Sequence, residues 1–224
     1  MLWSKGNIVH TLIISGGSIE VDLALLLLEK NYDHIIAVDG GLGFCMEQKI
    51  RPTRIVGDFD TLPPKILKWY REHTKIEIRK YNPVKDATDT QIAVELALEL
   101  GSQEITILGG TGTRLDHVLG NIQTLYMALE KGVDCRILDG HNRIRLIRER
   151  WVIKRAEQYG TYFSLIPYTE EVYGVTLKGA KYPLRDYHFT IFGTGSLGVS
   201  NEIMEEQVEI SIKKGILILI ESKD

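Results

Sequence analysis

The amino-acid sequence predicts an α/β fold in two parts: an N-terminal α/β domain built on a mainly parallel sheet, and a C-terminal antiparallel all-β domain that is sandwich-like. Up to about residue 140, short β-branched runs alternate with helical patterns, which is typical of a parallel sheet. Beyond that point, short alternating runs are separated by Gly, Pro and charged turns, which indicates antiparallel strands. We therefore expect one domain over residues 1–140 and a second over residues 141–224.

The N-terminal domain is expected to alternate strands with helices. Its strand-like runs are 8–15, 34–38, 54–59, 75–81, 104–110 and 135–140. The helical patterns between them are 22–30, 63–73, 89–100 and 115–132. In the last helix, apolar residues recur at helical spacing and are expected to form its buried stripe: Leu115, Leu119, Ile122, Tyr126 and Leu129.

The C-terminal domain is expected to consist of short strands joined by tight turns. Its alternating runs are 142–154, 160–169, 172–179, 187–193 and 206–222. Alternation at a period of two places one side of each strand towards a core and the other towards solvent.

Composition and charge exclude several classes of protein. The 224 residues are 44% hydrophobic, and their longest apolar run, at 21–28, is well short of the roughly 20 residues that a membrane helix needs. The formal net charge of −3 gives no electrostatic surface for nucleic acid. Cys45 and Cys135 are far apart and are expected to be buried thiols, not part of a disulfide or zinc framework. Because the start lacks a signal cleavage pattern, we expect a cytoplasmic protein.

Aspartates gather where the predicted strands end or where the following helices begin. They are Asp39, Asp58, Asp60, Asp86, Asp89 and Asp116. In open α/β sheets the carboxyl edge of the strands is where ligands bind. Carboxylates crowded at that edge repel one another unless a cation lies between them, and hard oxygen ligands favour Mg²⁺ or Ca²⁺. The pattern therefore indicates a phosphate-bound Mg²⁺.

Each aspartate also has a purely structural interpretation. Asp58 and Asp60 fit a solvated turn after a strand, on the side opposite Phe59. Asp86 fits a helix N-cap, with Asp89 completing a capping box three residues later. Asp39, before Gly40, fits a tight turn between a strand and a helix, where aspartate is common. Considered together on one sheet edge, the aspartates favour the metal–phosphate site.

A glycine-rich stretch, GGTGTRLDHVLGN at 109–121, precedes and enters the last helix of the N-terminal domain. Its glycines allow close approach of the backbone to a ligand, and the helix N-terminus offers free N–H groups to phosphate. The planar guanidinium group of Arg114 can donate two parallel hydrogen bonds to a phosphate. The spacing matches neither a Walker loop nor Gly-x-Gly-x-x-Gly. His117 and Asn121 lie one turn apart and could orient Asp116 or contact substrate, although a lone helical histidine is more often structural.

Four segments in this order resemble the thiamine pyrophosphokinase family: GDFDT at 57–61, KDATDTQIA at 85–93, GGTGTRLDH at 109–117 and SLGVSNE at 196–202. The resemblance covers nearly the whole chain. It implies transfer of a pyrophosphoryl group from ATP to the hydroxyl of thiamine, giving thiamine diphosphate and AMP, with Mg²⁺ required. It also implies an N-terminal α/β domain that binds ATP, a C-terminal β domain that binds thiamine, and a homodimer whose active sites lie between subunits.

The resemblance also implies roles for individual residues. At the metal–triphosphate centre it places the catalytic residues Asp58, Asp60, Asp86, Asp89, Arg114 and Asp116, of which the five aspartates hold the metal. Around ATP it places Asp39, Gly40, Gly110, Thr111, Gly112, Arg114, His117 and Asn121. Around thiamine it places Tyr182, Ser196, Ser200 and Asn201. Without the resemblance, the segment at 196–202 is interpreted as a hairpin turn, and Tyr182 as a buried sheet aromatic.

This sequence departs from the family pattern at three positions. Thr113 stands where a glycine is expected before the arginine, and Thr61 stands where serine is usual. Tyr182 stands where several relatives have tryptophan, and a tyrosine ring can still lie against a cationic thiazolium ring.

Two other functions fit the same residues. One is a Mg²⁺-dependent phosphohydrolase or nucleotidyl transferase, which would use the aspartates without thiamine. The other is a non-catalytic sensor of thiamine diphosphate, although Asp58, Asp60 and Arg114 are all retained. The general base is left open between Asp60 and Asp89.

Overall fold

The computed structural model describes residues 8–80, 88–193 and 197–224. The chain divides into two compact units, Met1–Gly140 and His141–Asp224. Along the described residues, no helix combines the length and apolarity needed to cross a membrane. Cys45 and Cys135 are both buried free thiols, as the sequence predicts.

Parallel strands form the sheet of the N-terminal unit, which confirms the predicted fold class. The strands are β1 (His10–Ile14), β2 (His34–Val38), β3 (Arg54–Gly57), β4 (Glu77–Lys80), β5 (Glu104–Leu108) and β6 (Asp134–Leu138). They lie in the order β4-β3-β2-β1-β5-β6. Every pairing between them is parallel. The central strands are continuous apolar runs because both faces of such a sheet are covered, and Ile13 and Ile107 are fully buried.

Helices connect these strands. They are α1 (Val21–Leu28), α2 (Gly41–Glu47), α3 (Pro64–His73), α4 (Asp89–Glu99) and α5 (Leu115–Glu130). The sequence analysis missed α2 because its seven residues, GLGFCME, are too short to show a helical period and include two glycines. Thr88 is the N-cap of α4, and its hydroxyl oxygen accepts from the Gln91 N–H at 3.2 Å. Since Thr88 caps the helix, the interpretation of Asp86 as the N-cap is wrong.

The predicted buried face of α5 is wrong for most of its residues. Leu115 and Leu119 are 72% and 62% exposed, and the residues that α5 buries are Asn121, Thr124, Leu125 and Ala128. The helix packs against α4 and β6 through this more polar face. Of the five residues in the predicted stripe, Leu115, Leu119 and Tyr126 are exposed, whereas Ile122 and Leu129 are partly buried.

The C-terminal unit is all-β, as predicted. Its strands are β7 (Asn142–Ile147), β8 (Arg150–Lys154), β9 (Tyr162–Pro167), β10 (Glu171–Lys178), β11 (Leu184–Thr190), β12 (Gln207–Ser211) and β13 (Leu217–Ser222). Antiparallel pairing produces two sets of strands, β7-β13-β9 and β11-β10-β12-β8. One core cluster takes residues from both sets, including Phe163, Leu219, Phe189 and Val208. A shared core between two antiparallel layers is the sandwich-like arrangement.

Candidate active site

Strand order in the N-terminal unit reverses beside β1. This strand pairs with β2 on one side and with β5 on the other. In open α/β sheets such a switch point leaves a crevice beyond the carboxyl ends of the two strands, where ligands bind. Here the turns after β1 and β5 are joined by their backbones. The N–H of Gly17 donates to the Gly109 carbonyl at 2.9 Å, and the N–H of Ser18 donates to the Thr111 carbonyl at 2.8 Å.

Two glycines are required by this close approach of the turns. A Cβ atom on Gly17 would lie 2.1 Å from the carbonyl oxygen of Thr111. Gly109 has a φ of +66°, and a Cβ atom there would lie 2.4 Å from the carbonyl oxygen of Ser15. Only glycine fits both positions, so the backbone itself forms this wall of the crevice.

The crevice opens into a cleft of about 590 Å³. This volume is within the range of small-molecule sites, roughly 300–1,000 Å³. The glycine turns, several aspartates and the first residues of α4 and α5 line it. The predicted site residues among them are Asp39, Asp58, Asp89, Gly110, Thr111, Gly112, Arg114, His117 and Asn121. Gly40 does not belong to this lining and instead stands directly before α2.

Three carboxylates meet beside the cleft. Asp39, Asp58 and Asp60, called the acidic group below, each offer an oxygen within 4.8 Å of the others. The prediction grouped Asp58 and Asp60 as metal ligands but assigned Asp39 to ATP. Parallel pairing of β2 with β3 explains why Asp39 joins them, because both strands end at the same edge of the sheet.

Backbone turns direct these side chains. Strand β3 ends at Gly57, two residues earlier than predicted, because Phe59 has a φ of +63° that no strand accommodates. Phe59 is buried, whereas Asp60 is exposed. The Asp58 carboxylate accepts from the Asp60 N–H at 3.0 Å. The turn therefore buries the Phe59 ring and leaves the carboxylates of Asp58 and Asp60 at one site.

Two carboxyls at this site have a raised pKa. Burial, followed by the charges of Asp58, Asp39 and Asp60, raises the pKa of Asp89 to about 6. The charge of Asp58 is the main cause that raises the pKa of Asp60. Carboxylates that disfavour one another's ionised forms are stabilised by a cation between them.

The acidic group includes a buried carboxylate oxygen without a hydrogen-bond partner among the described residues. In the described part of the chain, Asp39 Oδ1 is buried and has no hydrogen-bond partner. The other oxygen, Oδ2, accepts from the Thr61 hydroxyl at 2.5 Å. Buried carboxylate oxygens are costly unless they are paired or coordinate a metal. A donor set made only of oxygen atoms is the one that Mg²⁺ prefers.

Arg114 and Asp116 pair with each other at the start of α5. Arg114 Nη2 lies 2.6 Å from Asp116 Oδ2, and both side chains are exposed. The hydrogen bond from Arg114 is the main cause that lowers the pKa of Asp116. Among the described residues, Asp116 is not one of the carboxylates that meet within 4.8 Å. Its role as a metal ligand therefore stays a prediction.

The two other predicted residues of α5 differ in environment. Asn121 is buried, and its Nδ2 donates to the Gly110 carbonyl at 2.8 Å. This bond ties the helix to the glycine turn. His117 is exposed, and its backbone N–H donates to Asp116 Oδ1 at 3.0 Å. The Asn121 side chain is therefore used in a hydrogen bond within the fold, whereas His117 is exposed and lines the cleft.

The predicted thiamine residues lie in the C-terminal unit. Tyr182 is 58% exposed, so the interpretation as a buried sheet aromatic is wrong. Asn201 is buried, and its Oδ1 and Nδ2 bond the backbone N–H and carbonyl of Tyr182 at 3.0 and 2.9 Å. Ser200 has a φ of +57°, and its N–H donates to Ser164 Oγ at 3.0 Å. Ser196 and Asp86 lie outside the described residues.

Sequence reasoning missed one side of the cleft. The segment SGGS at 15–18 follows β1 and lines the cleft. The Ser15 hydroxyl is also bonded to the Thr90 hydroxyl at 2.6 Å, which joins β1 to α4. The signal was present in the sequence, since a glycine pair directly after the first strand of an α/β unit is a common ligand-binding turn.

Glycine turns at a switch point, a helix N-terminus and an acidic group together are typical of α/β enzymes that act on nucleotide phosphates. Comparison with known families narrows this class. A model described as thiamin pyrophosphokinase, catalytic domain, matches residues 25–137, and a model described as thiamin pyrophosphokinase, vitamin B1 binding domain, matches residues 150–217. The chain belongs to the thiamine pyrophosphokinase family of ATP-dependent enzymes.

Individual relatives agree with this family. The thiamine pyrophosphokinase of Bacillus subtilis (strain 168) is 36% identical over 194 residues, which are 84% of this chain and 87% of the relative. The crystal structure of thiamine pyrophosphokinase from Bacillus subtilis gives a TM-score of 0.84 at 32% identity, covering 96% of this chain and 99% of that chain. The crystal structure from Geobacillus thermodenitrificans gives a TM-score of 0.83 at 31% identity, covering 96% and 98%. The predicted family and fold class are confirmed.

Proposed function

We propose that this chain transfers a pyrophosphoryl group from ATP to the hydroxyl of thiamine, producing thiamine diphosphate and AMP. The observation that carries the proposal is the acidic group beside the interlocked glycine turns. This combination brings phosphate-binding N–H groups and oxygen ligands for Mg²⁺ to one cleft. Membership of the family supports thiamine as the acceptor.

In this proposal the residues of the cleft act mainly by positioning and by neutralising charge. Asp58 and Asp60 would hold Mg²⁺, together with Asp86, Asp89 and Asp116 as the family resemblance implies. The ion would neutralise phosphate charge during transfer. The glycine turn, with Gly110, Thr111 and Gly112, and the first turn of α5 would bind the triphosphate through N–H groups. Asp39, Gly40, His117 and Asn121 would complete the ATP site.

The reaction requires in-line attack by the thiamine hydroxyl oxygen on the β-phosphorus. The bond between that phosphorus and the bridging oxygen of AMP breaks, and the hydroxyl proton passes to a base. Arg114 lies on the cleft wall and would stabilise the charge that develops on the phosphate oxygens. The base stays open between Asp60 and Asp89.

Thiamine would bind in the C-terminal unit against Tyr182, with Ser196, Ser200 and Asn201 beside it.

We further propose a homodimer with active sites between subunits. Exposed apolar residues support an interface on each unit: Leu115 and Leu119 near the cleft, and Ile191, Phe192, Leu197 and Val199 near the thiamine residues. Contact between these two surfaces in different copies would remove both from water.

The proposed location is the cytoplasm. Two free thiols are compatible with its reducing environment. Sedimentation equilibrium would test the dimer, since a monomer at micromolar concentration contradicts the proposed placement of the active sites.

Product identification tests the proposed function directly. The protein is incubated with ATP, Mg²⁺ and thiamine, and the products are separated by chromatography. We expect AMP and thiamine diphosphate in equal amounts, and no AMP when thiamine is omitted. ADP with thiamine monophosphate would indicate a different kinase. Release of phosphate without thiamine would indicate a hydrolase, and tight binding without turnover would indicate a sensor.

A further inference from the structure

Three successive carbonyls of the glycine turn at 109–112 accept hydrogen bonds from the protein. The Gly109 and Thr111 carbonyls accept from backbone N–H groups of the turn after β1, at 2.9 and 2.8 Å. Between them, the Gly110 carbonyl accepts from the side chain of Asn121, whose Nδ2 lies 2.8 Å away. Of these three bonds, the middle one comes from a side chain, so a substitution can remove it without changing the backbone of either turn.

The N–H groups of the same turn are arranged differently. In a trans peptide unit, the carbonyl of one residue and the N–H of the next point in opposite directions. The bonds to the Gly110 and Thr111 carbonyls therefore direct the N–H groups of Thr111 and Gly112 away from the groups that hold those carbonyls. Among the described residues, neither N–H has a hydrogen-bond partner. Both residues line the cleft, so these two donors are available to an anionic ligand there.

Asn121 is placed to keep this arrangement fixed. Its side chain is 7% exposed and belongs to α5, the helix that follows the glycine turn. Gly110 is buried as well, so its carbonyl would lose its only listed donor and could not replace it with bulk water. Because glycine has no side chain to restrict its backbone, the peptide unit between Gly110 and Thr111 would then rotate more readily.

We propose that Asn121 is a positioning residue for phosphate binding: it fixes the peptide unit between Gly110 and Thr111 so that the turn presents its N–H groups to a phosphate. The inference rests on the proposed function for the identity of the phosphate ligand, ATP. Asn121 itself has no contact with the nucleotide in this scheme. It belongs to the ATP site only through the glycine turn.

Substitutions on the buried side of α5 separate this role from a purely structural one. Asn121→Ala removes the donor to the Gly110 carbonyl, and Asn121→Leu removes it while nearly keeping the side-chain volume. Thr124→Ala is the matched control, because the Thr124 hydroxyl is 5% exposed and donates to the Gly120 carbonyl at 3.0 Å within the helix. Each substitution removes one buried hydrogen bond, but only those of Asn121 change a bond to the glycine turn. Thermal unfolding checks that every variant folds.

Ligand binding is measured by calorimetry with ATP, with inorganic tripolyphosphate and with adenosine, all in the presence of Mg²⁺. We expect both Asn121 variants to weaken the binding of ATP and tripolyphosphate about tenfold, as for the loss of one hydrogen bond to a buried group. Adenosine binding should stay within about twofold of the wild type. Thr124→Ala should stay within about twofold for all three ligands. In turnover, Asn121→Ala should raise the KM for ATP about tenfold and leave the KM for thiamine within about twofold.

The ligand-free protein gives a second measurement, which a merely structural role would not move. The amide signals of Thr111 and Gly112 are recorded in ¹⁵N–¹H spectra. In Asn121→Ala they should shift or broaden, since the Thr111 N–H belongs to the peptide unit that loses its bond. In Thr124→Ala they should match the wild type.

Several outcomes would overturn the inference. Wild-type affinity for tripolyphosphate in the folded Asn121 variants removes the positioning role. An equal loss in Thr124→Ala means that the effect is general destabilisation. Weaker adenosine binding, or weaker tripolyphosphate binding with unchanged amide signals of the turn, means that Asn121 contacts the ligand directly.

The product assay on the wild type separates these failures from that of the proposed function. Thiamine diphosphate and AMP from the wild type, together with normal tripolyphosphate binding by both Asn121 variants, would leave the function standing and this inference wrong. Tripolyphosphate binding that depends on Asn121, without thiamine diphosphate from the wild type, would leave the positioning role standing and the proposed function wrong.

Discussion

Two sites of dense charge, one in each unit, are organised in opposite ways. In the C-terminal unit, Glu221 is 1% exposed, and its carboxylate accepts from Arg143 Nε at 2.7 Å, from Arg143 Nη2 at 2.5 Å and from the Tyr159 N–H at 3.1 Å. In the N-terminal unit, no ion pair found among the described residues joins the acidic group to a basic side chain. The buried carboxylate of the C-terminal unit is therefore paired within the chain. The carboxylates of the acidic group are not.

This difference separates stability from function. The pair of Arg143 with Glu221 should contribute to folding and leave catalysis alone. The acidic group should oppose folding until a cation binds, which is the stability cost expected of a preorganised site. Substitutions in the two places should therefore change different measurements.

The largest expected effect is in the acidic group. Asp60→Asn should lower turnover by at least 10³-fold, because it removes one of the carboxylates proposed to hold Mg²⁺ at the transferring phosphate. Thermal stability of the metal-free protein should stay the same or rise, since the variant removes a repelling charge. Turnover is measured as AMP formed at saturating Mg²⁺. Near-normal turnover in a folded Asp60→Asn protein would remove Asp60 from the metal site.

The converse experiment is in the C-terminal unit. Glu221→Gln should destabilise the protein by about 2–3 kcal/mol, somewhat below the usual cost of breaking a fully buried pair, because Arg143 is partly exposed. The midpoint of thermal unfolding should fall by about 4–12 °C. Turnover per folded molecule should not change below the transition. Loss of turnover with unchanged stability would contradict the comparison between the two sites.

The pH dependence of stability sharpens the same comparison. The raised pKa of Asp89, about 6 instead of its usual value of 3.8, means that the folded state holds a proton that the unfolded state has lost between these values. Stability of the metal-free protein should therefore fall as pH rises from about 4 to 6. Because this carboxyl is only partly buried, solvent screening reduces the effect to about 1–2 kcal/mol.

Asp89→Asn provides the matched variant for that pH measurement. Thermal unfolding is followed at pH 4, 5, 6 and 7, with EDTA or with excess Mg²⁺. The variant should flatten the pH profile in EDTA, and Mg²⁺ should flatten it in the wild type. If the stability of the wild type still falls between pH 4 and 6 with Mg²⁺ present, the cation does not lower the raised pKa of Asp89.

Much of the candidate site could be predicted from the sequence, because strand ends in a parallel sheet converge at one edge. That rule predicts Asp39, Asp58 and Asp60 at one edge of the sheet, and the family resemblance then implies that Asp58 and Asp60 hold the metal. The resemblance implies that Asp39 contacts ATP, and the sequence does not show that β2, which Asp39 follows, lies beside β3. The hydrogen bond from Thr61 to Asp39 joins residues 22 positions apart and has no sequence signal.

The exposed face of α5 could not be predicted for a different reason. Helical periodicity shows that Leu115 and Leu119 share a side of the helix, but it does not show whether that side packs on the sheet or is exposed. Asn121 and Thr124 were overlooked as buried residues because they are polar. Asn121 is buried with a bond to the glycine turn, so its polarity is satisfied by the backbone.

The smallest expected effect concerns Asn201, which was predicted as a thiamine ligand but whose bonds are internal, like those of Glu221. Its Oδ1 also accepts from the Glu202 N–H at 2.9 Å. If Asn201 acts by holding the Tyr182 backbone, Asn201→Ala should lower stability by about 1 kcal/mol and raise the KM for thiamine about threefold, with kcat little changed.

Tyr182→Phe is the control, since a phenyl ring retains the stacking face and should preserve KM within about twofold. The two variants are compared by initial rates and thermal unfolding. A KM for thiamine raised more than tenfold in Asn201→Ala at wild-type stability would mean that the amide contacts thiamine directly. Asn201 would then resemble the acidic group, whose polar atoms are available to a ligand, and not Glu221.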